Sequence, residues 1–181
     1  SAAEGSLYAE RRLLKMAFQT NPFGRKGICH MICREKENPI LKKTAFPVLH
    51  KGFENIGAFN AGAVLCSGET VLLARVAERP VRGEGILACP VYDPVSGKTV
   101  VTEIPAARAE SGDPRSFTVE GTRRLTSISH LHAARSRDGV HFRPDPAPLL
   151  QPQNEYETFG IEDARVACVE AVSYTHLRAH E

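Results

Sequence analysis

The sequence predicts an all-β fold. Apolar runs of strand length recur in pairs, and each pair is joined by a polar connection rich in Gly, Ser or Asp. Nothing between Asn55 and Ala171 has a helical period. The chain has 181 residues, 42% hydrophobic and 24% charged, which suits one globular domain with its own core. Successive hairpins of this kind build a sandwich, a barrel or a propeller, and composition does not choose among them.

The elements follow in order. "AGAVLCSGETVLLARV" (Ala61 to Val76) sets two apolar runs around the turn residues Ser67-Gly68-Glu69. "GILACPVYDPVSGKTVVTEIP" (Gly85 to Pro105) repeats the plan, with Asp-Pro and Ser-Gly in its connection. "AARAESGDPRSF" (Ala106 to Phe117) reads as a surface loop. "SHLHAARSRDGVHFRP" (Ser129 to Pro144) forms another hairpin, turning at Asp138-Gly139, because such a turn needs positive φ. "RVACVEA" (Arg165 to Ala171) adds one more strand.

Composition narrows the function classes. The net charge is +2, and Lys and Arg are spread along the chain, which argues against a nucleic-acid partner. No apolar run reaches membrane-spanning length, so no membrane partner is expected. No signal peptide is visible, and a cytoplasmic location is the default. The five cysteines lack paired spacings, so they read as reduced thiols rather than a disulfide framework. Cys29-His30 and Cys33 are a partial ligand cluster, but a metal site needs a second group of ligands, and no metal is expected.

Both ends depart from the pattern. Residues 1–30 read as an upstream or disordered extension, with a coherent start at Met31, although Ser6 to Phe18 could form a short amphipathic helix. Residues 31–171 carry the coherent β pattern. Residues 172–181, "VSYTHLRAHE", resemble a translated sequencing adapter and are expected to be non-native. His176 and His180 stand at i, i+4 within it and are assigned no function. The natural gene would then continue beyond about Ala171, and if the hairpins belong to a propeller, a piece of it with open sheet edges is expected to be unstable and inactive alone.

"FGIEDARV" (Phe159 to Val166) places two acids side by side. On a regular strand, Glu162 and Ala164 share one face while Asp163 and Arg165 share the other. Two acids on opposite faces do not flank one scissile bond. Asp163 and Arg165 could pair, or could contact a ligand together; an ordinary surface ion pair is the plainer alternative. "FNAGAV" places Asn60 at a strand entry, where a turn residue is the plain reading. "LLARVAER" places Arg75 at the far end of that hairpin, either as a solvated strand end or as a grip on sugar hydroxyls or phosphate.

Five segments in order resemble glycoside hydrolase family 130, the mannoside phosphorylases and related mannosidases. They are "ENPIL" (Glu37 to Leu41), "FNAGAV", "VLLARV", "LTSISHLHAARSRDGVHF" (Leu125 to Phe142) and "YETFGIEDARV" (Tyr156 to Val166). The resemblance covers about Met31 to Ala171, roughly the first half of a family-sized chain. It implies a five-bladed β-propeller, of which this segment would be the first two to three blades. It implies Asp163 as the single catalytic acid, with Asn60 and Arg75 holding the mannose, and Glu162 and Arg165 contributing to substrate binding. Ala164 stands where the family usually has Pro, which restores a backbone donor.

The implied reaction is inverting phosphorolysis of β-mannosides to mannose 1-phosphate, with inorganic phosphate as co-substrate and no cofactor. Phosphate is already an anionic nucleophile, so one acid suffices, its proton passing through a mannose hydroxyl. The implied partners are a β-mannoside oligosaccharide and phosphate, and a homo-oligomer is among the expectations for a full-length protein. A mannosidase of the same family and a non-catalytic carbohydrate-binding propeller are the alternatives. An arabinanase-type enzyme would need a second, separated acidic motif, and none is apparent.

Overall fold

The computed structural model describes residue 36, residues 38–169 and residues 172–179. The expectations for the 1–30 extension, Met31, the Cys29, His30 and Cys33 cluster, Glu37 and His180 lie outside the described residues. Within them the chain is all-β, with no α-helix and only short 3-10 turns at Lys43–Ala45, Ala106–Arg108 and Glu155–Glu157. No helix among them is long and apolar enough to cross a membrane.

Strands β1 (Phe53–Cys66) and β2 (Glu69–Pro80) form an antiparallel hairpin. It closes on Ser67 and Gly68, whose φ values of 50° and 82° match the twist of the flanking strands. Strands β3 (Ile86–Asp93) and β4 (Lys98–Pro105) form the second hairpin. There the Asp93 carboxylate accepts the Val95 and Ser96 N–H groups at 3.1 and 3.2 Å. Strands β5 (Glu110–Asp113), β6 (Ser116–Val119) and β7 (Thr122–Leu125) form a small meander. Strand β8 (Ile128–Ser136) returns to pair with β2, and β9 (Arg143–Pro144) adds to its edge. The central sheet therefore has the order β1-β2-β8-β9. Strands β10 (Ile161–Val169) and β11 (Val172–Ala179) form a separate antiparallel pair. Residues 172–179, set aside from the fold on sequence, are thus the partner strand of β10. None of these sheets closes on itself among the described residues.

Strand alternation gives the central sheet two different faces. On one face, Val71, Leu73, Leu131 and Ala133 pack against Ile161 and Ala164 of β10. On the other, Ala74 and Val76 pack against Phe46. Full burial of side chains such as Leu131 and Val76 contributes about 1.5–3 kcal/mol each. The first face is the one that matters for the site, because it seats β10 across β1, β2 and β8.

Two local expectations need correction. The segment from Ala106 to Phe117 is a 3-10 turn, β5 and the start of β6 rather than a plain loop. Asp113 and Ser116 pair directly, so Pro114-Arg115 is a tight hairpin connection. Its polar composition concealed one anchor: Phe117 is 2% exposed and packs on Cys89 and Ile104. Asp138-Gly139 does turn the chain, but within a longer connection spanning residues 137–142. The Asp138 carboxylate accepts from Val140 N, His141 N and Ser136 Oγ, so the side chain organises a wide loop instead of a two-residue turn.

The second face carries a buried polar group of its own. Glu78 is fully buried, and its carboxylate accepts from Leu49 N at 2.6 Å, His50 N at 3.3 Å and His50 Nδ1 at 2.7 Å. Burial raises the Glu78 pKa, but the His50 and Leu49 hydrogen bonds outweigh it and leave the group below its ordinary value. His130 and His132 lie beside it, buried, with no hydrogen-bond partner at either ring nitrogen among the described residues. Burial pushes His130 down to about 4 and also lowers His132.

The pH signs are the same for both groups. A histidine that stays neutral when folded but protonates when unfolded costs stability as pH falls below 6.5. A carboxylate with a lowered folded pKa loses its contribution as pH falls below 4.5 through its folded value. Stability should therefore decline from about pH 6.5 downward. His130→Leu should flatten the upper part of that decline, and Glu78→Gln should cost about 1–3 kcal/mol at neutral pH. Denaturant unfolding across pH 4–7 checks both.

Candidate functional site

The site forms where two β-bulges face each other. In β1 the register jumps from Phe59↔Arg75 to Gly62↔Leu73, so Asn60 and Ala61 together oppose Ala74. In β10 it jumps from Glu162↔Arg178 to Arg165↔His176, so Asp163 and Ala164 together oppose Leu177. Each bulge contains a left-handed residue, Asn60 at φ 50° and Asp163 at φ 46°. Asn and Asp tolerate that conformation better than other side-chain-bearing residues. A bulge adds one residue and re-aims the side chains around it.

This overturns the strand alternation expected for the two acids. Asp163 does not face away from Glu162; both carboxylates contact Arg75. The Arg75 Nη1 donates to Asp163 Oδ1 at 3.4 Å, and Nη2 donates to Glu162 Oε1. Asn60 Nδ2 donates to the same Asp163 Oδ1 at 2.9 Å, joining the two bulges. Arg75 is also not a strand end. It sits within β2, between Phe59 of β1 and Leu131 of β8, with its side chain 17% exposed.

Arg165 makes a different contact from the expected pair with Asp163. Its Nη1 donates to the backbone carbonyls of Asn60 at 3.3 Å and Ala164 at 3.0 Å. It therefore ties the β1 bulge to the β10 bulge, and only its charge acts on Asp163. All five residues singled out from the sequence, Asn60, Arg75, Glu162, Asp163 and Arg165, thus meet at one place.

Two contributors were missed. The Phe59 ring lies under the Arg75 guanidinium, 4.9 Å from its centroid, a cation–π geometry. Ser129 Oγ accepts from Arg75 Nε at 3.0 Å while only 2% exposed. Phe59 was legible as the residue before Asn60 and Ser129 as the opening of β8. Neither can be tied to Arg75 without the sheet register.

Glycines make the close approach possible. A Cβ at Gly62 would stand 2.7 Å from the Ala164 carbonyl oxygen, so only glycine lets β1 lie this near β10. At Gly160, φ is 106° and a Cβ would collide with the Ser129 backbone, where residues 129 and 160 form a parallel bridge. That bridge starts β10 beside β8 and so sets the height of both acids over Arg75.

The electrostatics follow from these contacts. The Asn60 hydrogen bond holds Asp163 below the ordinary carboxylate range; partial burial works against it, and the Arg75 and Arg165 charges add to it. Asp163 is the more open acid, 27% exposed at the side chain against 6% for Glu162. One acid therefore faces accessible space, while its neighbour is enclosed with the arginine. Among the described residues no group of three His, Cys, Asp or Glu is placed to hold a metal ion.

The chain has a curated relative in the β-1,2-mannobiose phosphorylase of Listeria innocua. The two are 44% identical over 145 residues, which is 75% of this chain and 40% of the relative. The solved structure of a Listeria innocua β-1,2-mannobiose phosphorylase in complex with β-1,2-mannobiose superposes with a TM-score of 0.74 at 40% identity. That match covers 78% of this chain and 42% of the other. Over its matched residues, the chain is similar to these β-1,2-mannobiose phosphorylases, in keeping with its resemblance to glycoside hydrolase family 130. It spans about two fifths of the length of these relatives. No family model matches the chain. The resemblance drawn from the five motifs and the similarity found by comparison point the same way.

Gly62→Ala tests the bulge-to-bulge contact. The added methyl group forces β1 away from the Ala164 carbonyl and lengthens the Asn60–Asp163 hydrogen bond. A loss of about 1–3 kcal/mol in denaturant unfolding is expected, accompanied by a rise of the Asp163 pKa toward its ordinary value, read by NMR titration.

Proposed function

We propose that this segment is the sugar-binding and proton-donating part of an inverting β-mannoside phosphorylase. The observation that carries the reading is the convergence of Asp163, Asn60 and Arg75 on one accessible carboxylate, in a chain 44% identical to a β-1,2-mannobiose phosphorylase. The substrate class is a β-mannoside, with a β-1,2-linked disaccharide the first to try. Inorganic phosphate is the co-substrate, and the reading invokes no cofactor.

In this reading Asp163 is the general acid. A phosphate oxygen attacks the anomeric carbon from the face opposite the leaving group. The glycosidic C–O bond breaks with inversion, and the leaving oxygen takes a proton that originates on Asp163 and passes through a mannose hydroxyl. Mannose 1-phosphate and the shortened sugar result. Separate roles for the two acids suit this chemistry, because phosphate needs no carboxylate to activate it.

Asp163 must be protonated to donate. With its oxygen accepting from Asn60 and Arg75, the empty site favours the carboxylate. Mannose hydroxyls that take over those donors would raise its proton affinity when substrate binds. Asn60 and Arg75 thus act twice, as sugar contacts and as the groups that hold the acid ionised until the sugar arrives. Arg165 and Arg75 are both engaged with protein groups, so the cations for phosphate are assigned to the remainder of a family-length enzyme.

The overall frame proposed is a five-bladed propeller. The β1-β2-β8-β9 sheet corresponds to one blade and β10 to the beginning of the next, with the bulges toward the central channel. Residues 172–181 carry no part of the proposed function.

Asp163→Asn in the phosphorylase carrying this segment tests the reading. Asn retains the left-handed backbone and the volume, so the fold should persist. Release of mannose 1-phosphate should fall by about 10²–10⁴-fold, while sugar binding, measured by calorimetry, is retained. Unchanged turnover would remove Asp163 as the acid.

A further inference from the structure

The guanidinium of Arg75 is held on its edges and on one face. Nε is fixed by Ser129, Nη1 by Asp163, Nη2 by Glu162, and the plane lies over Phe59. The two acids do not share it equally. Glu162 is 5% exposed and pairs closely with Nη2. Asp163 is more open, and its Arg75 contact is the longer one at 3.4 Å.

A carboxylate as enclosed as Glu162 costs several kcal/mol to remove from water unless a cation compensates it. Arg75 provides that compensation, and the arginine's charge is correspondingly committed to Glu162. The groups around this cluster, and the residues in register with it, can be named by strand. β1 contributes Asn60, β2 Arg75, and β8 the neutral Ser129. β10 contributes Glu162, Asp163 and Arg165, and in β11 Arg178 and His176 stand opposite Glu162 and Arg165 in register. Glu78, His130 and His132 lie across the sheet, on the face packed against Phe46.

We propose that Glu162 is a positioning residue: it fixes the Arg75 guanidinium and takes up its charge, so that the neighbouring Asp163 remains an acid able to gain and release a proton. It would touch neither the scissile bond nor the sugar. This rests on the reading of Asp163 as proton donor, and it explains why an acidic pair sits at a site whose chemistry needs one acid. Without Glu162, a full positive charge would fall on Asp163 and trap it as a carboxylate.

The test is an NMR titration of the Asp163 side-chain carboxyl, assigned by its loss in Asp163→Asn, in the full-length protein carrying this segment. It needs no turnover, so its outcome is separate from whether the protein proves to be a phosphorylase. Glu162→Gln should lower the Asp163 midpoint by about 0.5–1.5 pH units. Glu162→Asp, which keeps the charge at a longer reach, should lower it less. In an Arg75→Gln background the Glu162→Gln shift should shrink to less than half, because the effect runs through the arginine. A midpoint that stays or rises in Glu162→Gln overturns the proposal. So does an equal shift with and without Arg75, which would reduce Glu162 to a neighbouring charge. Amide dispersion reports whether each variant folds; if Glu162→Gln does not, an unchanged midpoint in Glu162→Asp overturns the proposal instead.

Discussion

The Arg75 guanidinium is the interaction on which the arrangement of the site depends. A cation mostly removed from water must be paired, and here two carboxylates, a hydroxyl and an aromatic face surround it. These partners come from β1, β8 and β10, while Arg75 itself is on β2. One side chain therefore links β1, β2, β8 and β10. The apolar packing of Leu73, Leu131, Ile161 and Ala164 brings β10 to the sheet, but it has no directionality. The directional contacts to Arg75 select the register at which both acids can reach it.

The second constraint is backbone shape. Two bulges, each with a left-handed residue, replace regular alternation at the point where it would have separated the acids. Left-handed φ at a residue other than glycine costs energy, and the surrounding contacts must over-determine it. They do so here: Asn60 and Asp163 hydrogen-bond to each other through their side chains, and Arg165 holds the Asn60 carbonyl. The strained residues are also two of those that the proposed reaction uses.

Much of the fold was legible in the sequence for local reasons. Ser67-Gly68 and the Asp93-to-Gly97 connection have turn chemistry that short-range rules capture, and their flanking apolar runs have strand length. The hairpin in Ala106 to Phe117 was hidden because it has one buried aromatic in an otherwise polar stretch. The five residues that meet at this cluster were also singled out, though Asn60, Arg75 and Asp163 gained meaning only through resemblance to a family. Their relative geometry was not legible. Alternation is the correct rule for a regular strand, and nothing local in "GIEDARV" announces an extra residue. The bulge is set by what lies across from it: the missing side chain at Gly62 and the cation at residue 75. Those are long-range facts, separated from Asp163 by most of the described chain.

The most direct test of this account is a double-mutant cycle on unfolding free energy for Arg75→Gln and Glu162→Gln. If the guanidinium and the enclosed carboxylate hold each other in place, either change alone already removes their contact. The double change then costs less than the sum, with a coupling of about 1–3 kcal/mol. Strict additivity of the two substitutions would contradict the account, because it would mean that Arg75 does not organise the acids around it.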